Sequence, residues 1–275
     1  MTEVFQPLKV YHYTLGGTLV QWSLNPLFKA TLPYTFKVYA SEYAGSQDFE
    51  LIATVHDDNH FIVDPKQRTF SKDFDIEYRV DLVDGDNNVY SSRVCDIQGQ
   101  LNRYDYLQAR AIIQRETLWI TKFGGTCGFL WKRRRWGPTC STCADWDTSE
   151  PTRGSCPECY GTGITGGYYS PITFYIGSTG GQNAKKSTDP SVGVTDAKMF
   201  KGRTLICPDL DTTDVWCNAV TDQRYIVGNV SYVYYKMVPI LIDPAELKLA
   251  PATDAVYNLA RPDEITSSSS SSSSG

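Results

Sequence analysis

Histidine is scarce in this chain of 275 residues: His12, His56 and His60 are the only three. None has H-E-x-x-H spacing, so the zinc-protease helix is excluded. There is no G-x-S-x-G nucleophile turn and no Rossmann fingerprint, which needs its glycine turn between a strand and a helix. The glycine-rich stretch Gly177–Thr188 has Lys185-Lys186-Ser187 but no glycine directly before the Lys-Ser pair, so it fails as a phosphate loop. Without a nucleophile–base pair or an open metal site, the expectation is a protein that is not an enzyme. No run of ~18 apolar residues occurs, so no transmembrane helix and no membrane partner are expected. The first ten residues lack the basic-then-apolar plan of a secretory leader. With Cys95, Cys127, Cys207 and Cys217 not closely paired, synthesis in a reducing cytosol is expected.

What the chain does have is one cysteine quartet. Cys140-Ser-Thr-Cys143 is followed after twelve residues by Cys156-Pro-Glu-Cys159. A C-x-x-C turn points two sulfurs at one ion, and a second turn at this separation completes a tetrahedron. The spacing predicts a structural Zn²⁺ bound by Cys140, Cys143, Cys156 and Cys159. Four thiolates leave no open position, so the metal should fold the chain and not catalyse. Two disulfides or free buried thiols are the competing readings. Asp209, Asp211 and Asp214 cluster in a loop and offer a weak calcium site as a lesser possibility.

Aromatic residues make up 13% of the chain and Tyr alone numbers eighteen, which leans toward β structure. Between residues 8 and 95 about seven short segments alternate with a period of two, among them Tyr34–Tyr39, Phe49–Val55 and Ile76–Leu82. That pattern predicts a β-sandwich. Residues 101–120 change to helical spacing, with Tyr104, Leu107, Ala111 and Leu118 as an apolar stripe expected to pack inward. Segments at 203–207, 223–227, 230–235 and 238–242 return to strands and suggest a small barrel. The expected fold is mainly β. It comprises a sandwich at 1–97, a linking helix at 98–122 and a zinc-ribbon insertion at 123–170. A C-terminal barrel at 171–261 and a flexible Ser-rich tail at 262–275 complete it.

The net charge of −5 argues against a general nucleic-acid binder, but one region departs from it. Residues 101–136 carry eight Lys or Arg against two acids, a local +6. Four of the cations stand together as Lys132, Arg133, Arg134 and Arg135, between Trp131 and Trp136. Contact with a DNA backbone, contact with an acidic protein partner, and a hairpin with water-facing charges are the three readings of this run.

Two resemblances follow. The order Trp22, Tyr39, then Glu77-Tyr78-Arg79-Val80 resembles a fibronectin type III module. The stretch from 131 to 175, with Trp136-Gly137, the two knuckles, Cys156-Pro157-Glu158-Cys159-Tyr160-Gly161-Thr162-Gly163 and Gly166-Gly167-Tyr168-Tyr169-Ser170-Pro171-Ile172, resembles structural proteins of the neck of tailed bacteriophages. Asp222–Val227, Leu247–Pro251 and Asp254–Tyr257 fit the same class. That resemblance implies a virion protein of the neck or head–tail connector, assembled as a homo-oligomeric ring. Portal, neck and tail proteins would be its neighbours, and contact with packaged DNA is implied as possible. A zinc-ribbon nucleic-acid-binding protein and a tail-tip adhesion protein are the alternatives.

Overall fold

The computed structural model describes residues 4–14, 17–42, 48–57, 59–64, 66, 76–96, 101–145, 152, 154, 156–178, 187–189, 193–195, 199–206 and 208–262. The serine run, Cys207, Asp58 and most of the glycine-rich excursion at 177–202 lie outside them. The protein is mainly β and divides into two compact units. One is Met1–Glu116 with Tyr234–Ile240, and the other is Thr117–Val233 with Leu241–Gly275.

The first unit holds a β-sandwich. Strands β1 (Lys9–Thr14), β2 (Gly17–Gln21) and β5 (Phe61–Asp64) form one antiparallel sheet in the order β1-β2-β5. Strands β3 (Thr35–Ser41), β4 (Glu50–His56), β6 (Glu77–Val83) and β7 (Val89–Ser91) form the other in the order β4-β3-β6-β7, and β8 (Cys95–Asp96) also pairs with β6. Two antiparallel sheets of three and five strands are of the β-sandwich type. The period of two explains it. In β3, Phe36, Val38 and Ala40 are buried while Lys37 and Tyr39 face outward; in β6, Tyr78, Val80 and Leu82 are buried. Trp22, directly after β2, packs its ring 5.2 Å from Phe36. The Tyr78 hydroxyl on β6 donates to Asp64 on β5 at 3.2 Å, tying the two sheets together. On the outer face Arg79 lies over the rings of Tyr39 and Phe49, 4.9 and 4.6 Å from their centres.

Helix α1 (Arg103–Leu118) follows, with the Asn102 side chain accepting from the Asp105 amide as an N-terminal cap. Its orientation reverses the sequence expectation. Asp105, Ala109, Ile113 and Glu116 are buried, whereas Tyr104, Leu107, Ala111 and Leu118 face solvent. Both sets recur at helical spacing, so periodicity alone does not choose between them. Buried Asp105 is held by Lys236, whose Nζ donates to its two oxygens at 2.8 and 2.7 Å.

The second unit is built on a closed six-stranded barrel. After a π-helical turn at Trp119–Gly124, its strands are β9 (Gly125–Trp131), β10 (Ile172–Ser178), β13 (Met199–Leu205), β14 (Val215–Asn218), β15 (Arg224–Tyr235) and β16 (Val238–Leu249), in the cyclic order β10-β13-β16-β15-β14-β9. The pair β11 (Ser187–Asp189) and β12 (Gly193–Thr195) forms a separate two-stranded ribbon. Leu130, Phe174, Ile176, Trp216, Val227, Ile242 and Leu247 make up the barrel core. A Cβ at Gly128 would lie 2.5 Å from the Trp216 ring, so glycine there admits the indole. Strand β9 falls within 123–170, so the barrel draws its first strand from the stretch read as insertion. The ribbon proper then lies between β9 and β10. The segment after β16 folds over a second cluster of Trp131, Val215, Cys217, Ala250, Val256 and Leu259. Buried Arg224 holds it, bonding the Val256 carbonyl with its guanidinium near the Trp131 and Tyr257 rings.

Candidate metal centre

Strands β9 and β10 are antiparallel neighbours, and residues 132–171 are the connection between them. The ladder continues irregularly outward. The Tyr169 amide donates to the Lys132 carbonyl at 2.9 Å and the Arg134 amide to the Gly167 carbonyl at 2.9 Å. Farther out the Thr165 amide donates to the Pro138 carbonyl at 2.9 Å and the Cys140 amide to the Gly163 carbonyl at 2.8 Å. These bonds deliver the two C-x-x-C turns to one place. Each turn closes on itself: the Ala144 amide donates to the Cys140 carbonyl, and the Tyr160 amide to the Cys156 carbonyl. Glycine is required where the chain doubles back. Gly161 has φ of +78°, and a Cβ on Gly167, at φ of +58°, would lie 2.5 Å from the Cys159 carbonyl oxygen.

All four cysteines are buried, and their sulfurs lie within 4.8 Å of one another. Cys143 and Cys159 are 3.2 Å apart at Sγ, Cys140 and Cys156 3.9 Å. A disulfide needs ~2.05 Å, so neither pair is bonded. Four sulfurs ~2.3 Å from a tetrahedral ion stand ~3.8 Å from each other, which falls inside the observed spread. The donor set therefore fits a thiolate-bound metal ion. Backbone amides prepare it. The N–H groups of Cys159 and Glu158 point at the Cys156 sulfur and bring its pKa down to about 7. The Cys143 thiol is pushed up by its hydrogen bond to Cys159 and by burial, and burial also raises Cys140. A dication bound there would draw the remaining protons off the thiols. The Glu158 carboxylate accepts from the Thr142 hydroxyl and lies 3.6 Å from the Cys140 sulfur, bracing one turn against the other.

The basic run is placed at the root of this ribbon. Lys132 is 2% exposed, with Nζ donating to the Asp214 carboxylate at 2.5 Å, the Asp211 carboxylate at 3.2 Å and the Asp209 carbonyl at 2.6 Å. Burial opposes the ammonium, but Asp214, Asp211 and Asp209 outweigh it, and its pKa lies above the ordinary lysine value. Asp214 also accepts from the amides of Arg133 and Asp211, at 2.9 and 2.8 Å, so the carboxylate has three donor groups around it, as in a fully bonded ion pair. Arg133 donates to the Thr213 hydroxyl and the Thr162 carbonyl, which joins the barrel loop to the second knuckle. Arg134 lies over the Tyr169 ring at 4.5 Å, and Arg135 donates to the Thr212 carbonyl. The structure thus brings Lys132, Arg133 and Arg135 to the loop 209–214 and Arg134 to Tyr168 and Tyr169, and none of them to the sulfur cluster. It also shows that the Asp211 and Asp214 carboxylates hold the Lys132 ammonium, while the Asp209 carboxylate accepts from the Tyr232 hydroxyl at 2.6 Å.

Sequence reading missed that partnership. Lys132 and Asp214 are 82 residues apart, and no local pattern joins them. The available signal was the coincidence of a lysine at the end of a strand and three closely spaced acids with no other assigned cation.

Among the described residues no helix is long and apolar enough to cross a membrane. Comparison with protein-family models, with curated proteins and with solved structures finds no match.

Proposed function

We propose that this protein is a structural component of a tailed-bacteriophage virion, a neck or head–tail joining protein whose ribbon is locked by zinc. The observation that carries the structural part is the ribbon's own core. Among the described residues its buried cluster consists of Cys140, Cys143, Cys156 and Cys159, with Ala144 packed against them. Sulfurs gathered in this way bury little apolar surface, and a bound ion supplies the cross-link. A tetrahedral four-sulfur donor set suits zinc, and its closed coordination leaves no position for a water or substrate. Its residues Cys140, Cys143, Cys156 and Cys159 would hold the ion, which contributes rigidity and not turnover.

The virion assignment rests on the resemblance carried by residues 131–175, 222–227 and 247–257. The arrangement is compatible with it. A rigid ribbon on a closed barrel suits a part that stays assembled under load. The engagement of Lys132 to Arg135 within the chain favours a bracing role for that run over contact with packaged DNA. Neighbours of the neck, portal and tail and a ring of identical subunits are the partners this role requires.

Antibody labelling of purified source virions, viewed by electron microscopy, tests the assignment. Label at the head–tail junction is expected. Label at the distal tail would replace the neck role by adhesion, and particles devoid of the protein would overturn the virion reading altogether.

A further inference from the structure

Thr213 stands in a conformation that its own side chain resists. Its φ is +74°, in the left-handed region, where a β-branched residue is an outlier. The loop around it reads Asp209-Leu-Asp-Thr-Thr213-Asp214, with no glycine to take that turn without cost. A residue held this way persists where its surroundings over-determine it, and such residues gather at elements that switch between two arrangements.

Thr213 is held from two sides. Its amide donates to the Val227 carbonyl on β15 at 2.7 Å, and its hydroxyl accepts from Arg133 Nη1 at 3.1 Å. The same guanidinium reaches in the other direction, with Nη2 donating to the Thr162 carbonyl at 3.4 Å. Thr162 belongs to the second cysteine turn. Its amide and its hydroxyl both donate to the Cys159 carbonyl, at 3.0 and 2.7 Å. Arg133 therefore runs from the turn that carries Cys159 to the strained residue of the barrel loop. Asp214 follows directly. Its carboxylate accepts from the Asp211 and Arg133 amides and from Lys132, so a change at Thr213 reaches the buried ion pair.

We infer that Arg133 is a strut through which metal occupancy of the ribbon sets the conformation of the loop 209–214. With the ion bound, the closed cysteine turn fixes Thr162, and the guanidinium braced on it holds Thr213 in place. With the ion lost, Thr162 is no longer fixed, the left-handed turn relaxes, and the loop loosens while the barrel strands stay paired. The inference rests on the reading of the ribbon as a metal centre and names the part of the barrel that this centre governs. Linkage makes the effect reciprocal, so a loop held in place also tightens metal binding.

The test is amide hydrogen exchange of the full chain, zinc-loaded and after chelation, beside the variants Arg133→Ala and Thr213→Val. The second keeps the β-branched shape and removes the hydroxyl, so it cuts the strut at its far end if Arg133→Ala fails to fold. In the wild type, chelation should speed exchange over 209–214 at least ~10-fold. In either variant the loop should exchange fast with zinc and without it, and zinc affinity by chelator competition should fall ~10-fold. Wild-type exchange over 209–214 that chelation leaves unchanged, in a chain that does bind zinc, would overturn the strut while the metal centre stands. A chelation effect of full wild-type size in both variants would overturn Arg133 as its route. A chain that takes up no zinc would overturn the metal centre itself, and the inference with it.

Discussion

Single side chains do unequal work in this protein, and Lys132 with Asp214 is the clearest case. Each alone would be an uncompensated buried charge, and breaking such a pair costs ~3–5 kcal/mol. Asp214→Asn should therefore lower unfolding free energy by about that amount in denaturant titration. Asp211→Asn, at a half-exposed carboxylate 3.2 Å from the same ammonium, should cost far less. Equal effects would show that the Asp214 ion pair is not what matters there. At the cysteine cluster the proton balance gives a second expectation. Cys156 is the thiol brought down to about 7, so above that pH it is already ionised and below it one more proton must be displaced by the metal. Apparent metal affinity should fall as pH drops, with a steeper slope below about 7. Titration of the apo protein with a competing chelator across that range measures it, and a constant slope would contradict the assignment of Cys156 as the first thiolate.

Among the elements, the ribbon and the barrel depend on different forces. The barrel is closed by backbone pairing around an apolar core, whereas among the described residues the ribbon's inner cluster is four cysteines with Ala144 against them. Chelation should open residues 137–167 to protease while the barrel strands on either side stay protected. Cleavage spread evenly through both would contradict that division. In the sandwich, Trp22→Ala removes a fully buried indole packed on Phe36 and should cost ~3–5 kcal/mol by thermal or denaturant unfolding. The sandwich strands were legible in the sequence because one face of each is wet. Alternation in Phe36-Lys37-Val38 or Tyr78-Arg79-Val80 reports that directly. The cysteine turns were legible because their geometry is local. Strand β9 was obscured by Gly125 and Gly128, because glycine weakens a strand pattern, yet here the two make room for the Ile120 carbonyl and the Trp216 ring. The facing of α1 was hidden because two stripes share the helical period and the buried one carries the acids Asp105 and Glu116, and what holds Asp105 inward is its ion pair with Lys236, which no local pattern announces.

For the molecule as a whole, the sandwich, the barrel and the four-cysteine ribbon each have a buried cluster of their own, and among the described residues the cysteine quartet is the group of side chains placed to hold a metal ion. The account depends most on the ribbon being a metal centre. The direct measurement is elemental analysis of the natively purified chain together with the reactivity of its thiols. The expected result is about one zinc ion per chain, with Cys140, Cys143, Cys156 and Cys159 unreactive toward a thiol reagent until a chelator is added. A metal-free, folded protein whose ribbon cysteines react at once, or whose intact mass shows them joined as disulfides, would contradict it.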